Sequence, residues 1–85
     1  MDKSGPRLTA NRKQQKALLS LLRQLRQDAG LTQVDMALKL GKPQPFVSYY
    51  ESGARRLDLL ELRQVCEVLG ISLVKFIKKF ETSLV

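Results

Sequence analysis

Residues 33–52 read QVDMALKLGKPQPFVSYYES, a pattern that predicts two short helices joined by a tight turn. Two helices that cross at a steep angle need a small residue at the crossing point, and Ala37 is such a residue. Gly41, four residues later, can adopt the positive φ that the turn needs. The apolar positions that would hold both helices against a core are Met36, Leu40, Val47 and Tyr50. The residues left facing outward are Gln33, Gln44, Pro45, Ser48 and Tyr49.

Capping residues mark three helix starts in and beyond this segment. Thr32 with Asp35, and Asp58 with Glu61, have the capping-box spacing, in which each side chain accepts a hydrogen bond from the other residue's backbone amide. Ser72 is a capping residue without an acidic partner. Each cap lies between two apolar residues placed as in a hydrophobic staple: Leu31 with Met36, Leu57 with Leu62, and Ile71 with Phe76.

An apolar stripe upstream predicts a long first helix that ends before Gly30. Its members recur at helical spacing: Leu18, Leu22, Leu25 and Ala29. Together with the caps, this stripe predicts five helices, at about 9–29, 32–40, 44–52, 58–69 and 72–82. No segment alternates apolar and polar residues as a strand would. The sequence therefore predicts an all-α five-helix bundle, a single domain at 9–85 that follows a flexible basic arm at 1–8.

The excess positive charge lies in the first two-thirds of the chain. Residues 1–56 hold 11 basic and 4 acidic side chains, a net charge of +7, whereas residues 57–85 hold 4 of each. A basic part beside a neutral part indicates that the first part faces a polyanion such as nucleic acid. Three basic residues of the first helix fit a solvated face and an approach to phosphates equally well: Arg12, Lys13 and Lys16.

Several residue types that other functions need are scarce or absent. The single cysteine, Cys66, cannot form an intramolecular disulfide, and we expect it to be a small core residue in a reducing compartment. The chain has no histidine, nucleophile–base pair, phosphate-binding glycine loop or metal-ligand spacing. We therefore expect no enzymatic activity, no metal and no cofactor. No apolar run approaches the ~18 residues of a membrane span or resembles a signal peptide, so we expect a cytoplasmic protein.

Four motifs give the chain a resemblance to a known family. They are Arg26 within LRQLRQDAG, Leu31-Thr32-Gln33, Ser48-x-x-Glu51-x-Gly53, and Leu69-Gly70-Ile71-Ser72. Through them, residues 16–77 resemble the XRE family, the phage-repressor type of helix-turn-helix DNA-binding protein to which Cro and lambda repressor belong. The resemblance implies a lambda-repressor-like fold with helix 44–52 in the major groove of double-stranded DNA. Our leading hypothesis is a bacterial or phage-encoded, nucleoid-associated homodimer that acts as a repressor or autoregulator at an inverted-repeat operator.

The resemblance also assigns roles to individual residues. The side chains implied to face base edges are Gln44, Pro45, Ser48 and Tyr49. Those implied to contact phosphates are Gln33, which would also brace Gln44, together with Lys42, Arg55 and Arg56. Arg26 and Glu51 are implied to form an ion pair between the first and third helices. Two positions depart from the family pattern: Pro45 stands where relatives often carry a polar side chain, and Tyr49 is bulkier than the usual residue.

The last helix carries more apolar residues than a small core needs. We expect the core to take up Leu73, Phe76 and Ile77, which leaves Phe80, Leu84 and Val85 for a dimer interface with a second copy of the chain. One alternative is an antitoxin that binds a toxin through this helix and also binds its own promoter. A second is a protein that binds RNA or coats the nucleoid without sequence preference. Outward Gln44 and Ser48 favour sequence reading over coating.

Overall fold

Five α-helices form the part of the chain that the computed structural model describes, which is the backbone from residue 7 to residue 85 and the side chains from residue 12. They are α1 (Arg7–Asp28), α2 (Gln33–Leu40), α3 (Gln44–Ser52), α4 (Leu59–Leu69) and α5 (Leu73–Ser83). This range contains no strand, which confirms the predicted all-α class. Within this range, none of the helices combines the length and the apolar character that a membrane span requires.

The first helix begins earlier than the sequence predicted. Most of the predicted arm, residues 1–6, lies outside the described residues. Its last two residues, Arg7 and Leu8, are the first residues of α1 rather than a continuation of the arm. Arginine and leucine both favour helix, so the helix can extend back beyond the predicted start near Thr9.

The predicted caps form the helix starts. The Thr32 hydroxyl accepts a hydrogen bond from the Asp35 amide at 3.0 Å, and the Asp35 carboxylate accepts one from the Thr32 amide at 3.0 Å. Asp58 and Glu61 make the same reciprocal pair at 2.7 and 2.9 Å. At the other end of α2, Gly41 has a φ of 69°, the left-handed conformation that the sharp turn into α3 needs.

Every helix contributes to one apolar core. Its buried residues are Leu22, Met36, Ala37, Val47, Tyr50, Val65, Cys66 and Phe76. Ala37 is buried with Met36 on the inner side of α2, as predicted for the helix crossing. Burial raises the pKa of the Cys66 thiol, which keeps this side chain neutral.

The inner face of α5 differs from the predicted one. Phe80 packs against the core rather than standing beyond it, while Ile77 is 40% exposed. Leu73, Phe76 and Phe80 already follow the helical period, and Ile77 is rotated about 100° from Phe76. The exposed apolar residues of this part of the chain are Val74 and Ile77 on α5 and Leu84 and Val85 directly after it. We call these four residues the outer face of α5.

Candidate nucleic-acid interface

Helix α3 has one face in the core and one in solvent. Val47, Tyr50 and Glu51 are buried. The opposite face carries all four residues to which the resemblance assigns base contacts: Gln44, Pro45 and Tyr49, which are exposed, and Ser48, which is half-buried. Pro45 lies in the first helical turn, where the amide that proline lacks would have had no helical partner. The helix therefore presents a short row of side chains that is open to a groove-shaped partner.

An ion pair holds α3 against α1. Arg26 Nε donates to Glu51 Oε2 at 2.6 Å, and Arg26 Nη2 donates to Glu51 Oε1 at 3.0 Å. The third donor, Nη1, reaches the carbonyl of Leu31 at 2.8 Å. Arg26 is 8% exposed and Glu51 is 3% exposed, so the pair is shielded from water. Hydrogen bonding to Glu51, and then the charge of that carboxylate, raises the pKa of Arg26 above the ordinary arginine value.

Two glutamines extend this pair to the surface. Gln33, the first residue of α2, donates from Nε2 to Glu51 Oε1 at 3.1 Å. Gln44, the first residue of α3, donates from Nε2 to Gln33 Oε1 at 3.3 Å. We call Arg26, Glu51, Gln33 and Gln44 the polar network. It brings side chains from three helices together and ends at an exposed amide on the outward face of α3.

Arg55, which the resemblance implies to contact a phosphate, bonds a carboxylate of the protein while its side chain stays 42% exposed. Its guanidinium makes two parallel hydrogen bonds to the Glu61 carboxylate, at 3.0 and 2.7 Å. It also lies 4.7 Å from the centre of the Phe46 ring, a cation–π distance. Arg55 therefore ties the loop after α3 to the start of α4, and its charge is already matched by a carboxylate.

The remaining basic residues around α3 are more accessible. Lys42, in the turn before α3, is exposed, with its ammonium 5.5 Å from the centre of the Phe46 ring. Arg56, in the loop after α3, is also exposed. The two cations therefore flank α3 in the sequence. Gln33 is only partly buried and stands at the first position of α2, where the helix dipole is positive.

Sequence reasoning missed the partners of Arg55. Glu61 was recognised only as half of a capping box, because the spacing from residue 55 to residue 61 crosses an irregular loop. The sequence pattern indicates no role for Phe46, although its ring centre lies 5.5 Å from the Lys42 ammonium and 4.7 Å from the Arg55 guanidinium. An aromatic residue between basic residues at both ends of a short helix is the signal that could have indicated this stacking.

Comparison with known proteins places a helix-turn-helix motif in the same part of the chain. The helix-turn-helix family model matches residues 22–76, which include α2, α3 and α4. A solved structure, the XRE-family like protein from Pseudomonas syringae pv. tomato str. DC3000, is similar, with 38% sequence identity and a TM-score of 0.85. The alignment covers 93% of this chain and 96% of that one. No curated protein sequence matches.

The buried ion pair predicts a large effect on stability. Glu51→Ala leaves the Arg26 charge buried without its partner, so we expect the free energy of unfolding to fall by about 3 kcal/mol. The control is Glu67→Ala, which removes a pair whose two side chains are each 65% exposed; we expect a loss below about 1 kcal/mol. Urea denaturation followed by circular dichroism measures both. Equal midpoints for the two variants would contradict the role of the pair.

The Arg55–Glu61 pair predicts a specific sensitivity to acid. The hydrogen bonds from Arg55, and then that from the Asp58 amide, hold the pKa of Glu61 at about 2, below its ordinary value of 4.5. The ionised carboxylate therefore stabilises the fold fully above pH 4.5, and this contribution is lost as the pH falls towards 2. Glu61→Gln should show a smaller fall in melting temperature across this range than the wild type, and Glu67→Gln should not. Parallel curves of melting temperature against pH for all three proteins would count against this role of the Arg55–Glu61 pair.

Proposed function

The chain belongs to the XRE family of helix-turn-helix DNA-binding proteins, and from this we propose that it is a homodimeric repressor or autoregulator that reads an inverted-repeat operator through α3. The observation that carries the proposal is the exposed amide of Gln44 at the start of α3, held by hydrogen bonds that run back to the buried ion pair. A base-reading side chain that is already held in place loses less conformational entropy on binding.

Direct reading of bases is assigned to the outward face of α3. A glutamine amide can bond the major-groove edge of adenine through two atoms, so Gln44 is the principal reader. The Ser48 side chain is short, and its hydroxyl can donate or accept a hydrogen bond at a base edge. In this structure the hydroxyl donates to the Pro45 carbonyl at 3.2 Å. Pro45 offers only apolar contact, which suits a thymine methyl group. Tyr49 is 54% exposed and can reach the sugar–phosphate backbone.

Phosphate contacts are assigned to residues that flank α3. Lys42 and Arg56 are exposed cations at its two ends, and Gln33 adds a polar group at the positive end of α2. Arg55 serves the interface indirectly, because its bonds to Glu61 hold the loop that carries Arg56. Phosphate contacts fix the register of a protein on DNA but do not read its sequence.

A dimer is proposed because one recognition helix covers only a few base pairs. Two copies related by a two-fold axis place their helices about 34 Å apart and read two half-sites. The surface that supports this arrangement is the outer face of α5, which exposes Val74, Ile77, Leu84 and Val85 on the half of the chain without net charge. The packing of Phe80 against the core moves the proposed interface from Phe80 to these residues.

The first test separates base reading from phosphate contact. On a site selected from random DNA, Gln44→Ala should cost about 1–3 kcal/mol of binding free energy, with little effect on unrelated DNA. Arg56→Ala should weaken binding to both DNAs. It should also reduce the slope of the logarithm of the binding constant against the logarithm of the salt concentration by about one unit. Arg63→Ala, which removes an exposed arginine on α4, is the control and should change neither. Equal losses on both DNAs for Gln44→Ala would exclude a reading role.

The second test concerns the dimer. Val74→Lys with Ile77→Lys should give a folded monomer whose operator affinity falls about 100-fold or more, since the linked second half-site is lost. Leu60→Lys is the matched control: this leucine is 73% exposed on α4, and the protein should stay dimeric. Analytical ultracentrifugation and circular dichroism measure both properties. A dimeric double variant would place the interface elsewhere, and a small toxin that copurifies with the wild type would favour the antitoxin alternative.

A further inference from the structure

Glu51 lies inside the protein, yet it is joined to the exposed amide of Gln44 through one intervening side chain. We infer that this buried carboxylate determines which purine Gln44 prefers, because it fixes the orientation of the side-chain amides of Gln33 and Gln44. The inference rests on the proposed function, because it requires Gln44 to face a base edge. It adds a positioning residue that does not itself contact DNA.

The first step is the chemistry of the carboxylate. An ionised carboxylate accepts hydrogen bonds and donates none. The Glu51 side chain is fully buried and accepts from Arg26 through both oxygens. Oε1 also faces Gln33 at 3.1 Å. Since Oε1 can only accept, Gln33 must turn its NH2 group towards Glu51.

The second step follows from the shape of an amide. When the Gln33 NH2 group faces inward, its carbonyl oxygen faces the opposite way, towards Gln44. Gln44 must then meet a carbonyl with a donor, and its Nε2 lies 3.3 Å from Gln33 Oε1. Turning the Gln44 amide over would set two carbonyl oxygens against each other. This arrangement is costly once bound DNA has removed the surrounding water.

The third step concerns the hydrogen-bonding groups of Gln44 that remain free for a base. One N–H of its amide is used by Gln33, so the other N–H and the carbonyl oxygen remain for a ligand. Adenine presents an acceptor at N7 and a donor at N6, which match this pair. Guanine presents acceptors at both N7 and O6, which match an amide that offers two N–H groups. The polarity imposed by Glu51 therefore favours adenine over guanine.

The test reverses this polarity without removing the ion pair. In Gln33→Lys the introduced ammonium can still donate to Glu51, but it has no acceptor for Gln44. Gln44 must then turn its carbonyl towards this ammonium and present two N–H groups outward. Gln33→Met is the control, because it fills similar space and imposes no polarity. Binding is measured on two DNAs that differ only in the base pair whose preference Gln44→Ala abolishes.

The readout is the ratio of the dissociation constants for the guanine and adenine sites. We expect the wild type to prefer adenine on the order of tenfold, Gln33→Met to fall to about twofold or less, and Gln33→Lys to prefer guanine. The added positive charge in Gln33→Lys strengthens binding to both DNAs alike, so it does not alter the ratio. In Glu51→Gln the amide oxygen suits the shorter contact, with Arg26 Nε at 2.6 Å, which leaves the NH2 group facing Gln33. This variant should therefore also lose the adenine preference, with circular dichroism showing that it is folded.

The outcomes distinguish this inference from the proposed function. The proposed function itself would be overturned by a wild-type protein that shows no DNA sequence preference. A Gln44→Ala variant that prefers the same DNA site as the wild type would also overturn it. A wild type that prefers adenine through Gln44, together with Gln33→Lys and Gln33→Met variants that keep the same ratio, would overturn only the control by Glu51. Reversal in Gln33→Lys with loss in Gln33→Met supports it, because a purely structural role for residue 33 would weaken both DNAs equally.

Discussion

Burial of the Glu51 carboxylate imposes the constraint on which the rest of the site depends. A carboxylate removed from water needs compensating donors, because its desolvation costs several kcal/mol. Arg26 supplies two of them from α1, and Gln33 supplies a third from α2. Since these donors stand on different helices, the need to satisfy one side chain fixes α3 against both. The same contacts that satisfy the core therefore set the angle of α3, the helix proposed to read DNA.

A second constraint acts between α2 and α3. The two helices pack closely, with Ala37 buried on α2 and Val47 buried on α3. The turn between them is short because Gly41 adopts a left-handed conformation that directs the chain straight into Lys42 and Pro43. The first residues of the two helices, Gln33 and Gln44, are thereby brought within hydrogen-bonding distance. Without this tight turn, the exposed amide would have no link to the buried carboxylate.

The fold could be predicted where the responsible interactions are local in sequence. The caps at Thr32, Asp58 and Ser72 bond only three residues ahead, so their residue types alone located three helix starts. The orientation of α5 could not be predicted in the same way. Its sequence offers two overlapping apolar stripes, and only packing against the other helices selects the one that contains Phe80 and leaves Ile77 in solvent.

The roles of the arginines at the site could not be predicted from the number of charges alone. In the structure, some arginines are paired with carboxylates and others are exposed. Arg26 and Arg55 each meet a carboxylate in a two-pronged contact, and both act within the protein as supports for α3 and the loop after it. Arg56 stands next to Arg55 in the sequence but is exposed. Glu51 lies 25 residues from Arg26, and the family resemblance indicated that pair although no local pattern does. Glu61 lies 6 residues from Arg55 across a loop, and nothing in the sequence indicated that pair. The net charge of +7 for residues 1–56 already subtracts Glu51 but counts Arg55 without Glu61, which lies outside that range. The sum therefore includes one positive charge that a carboxylate of the protein already matches.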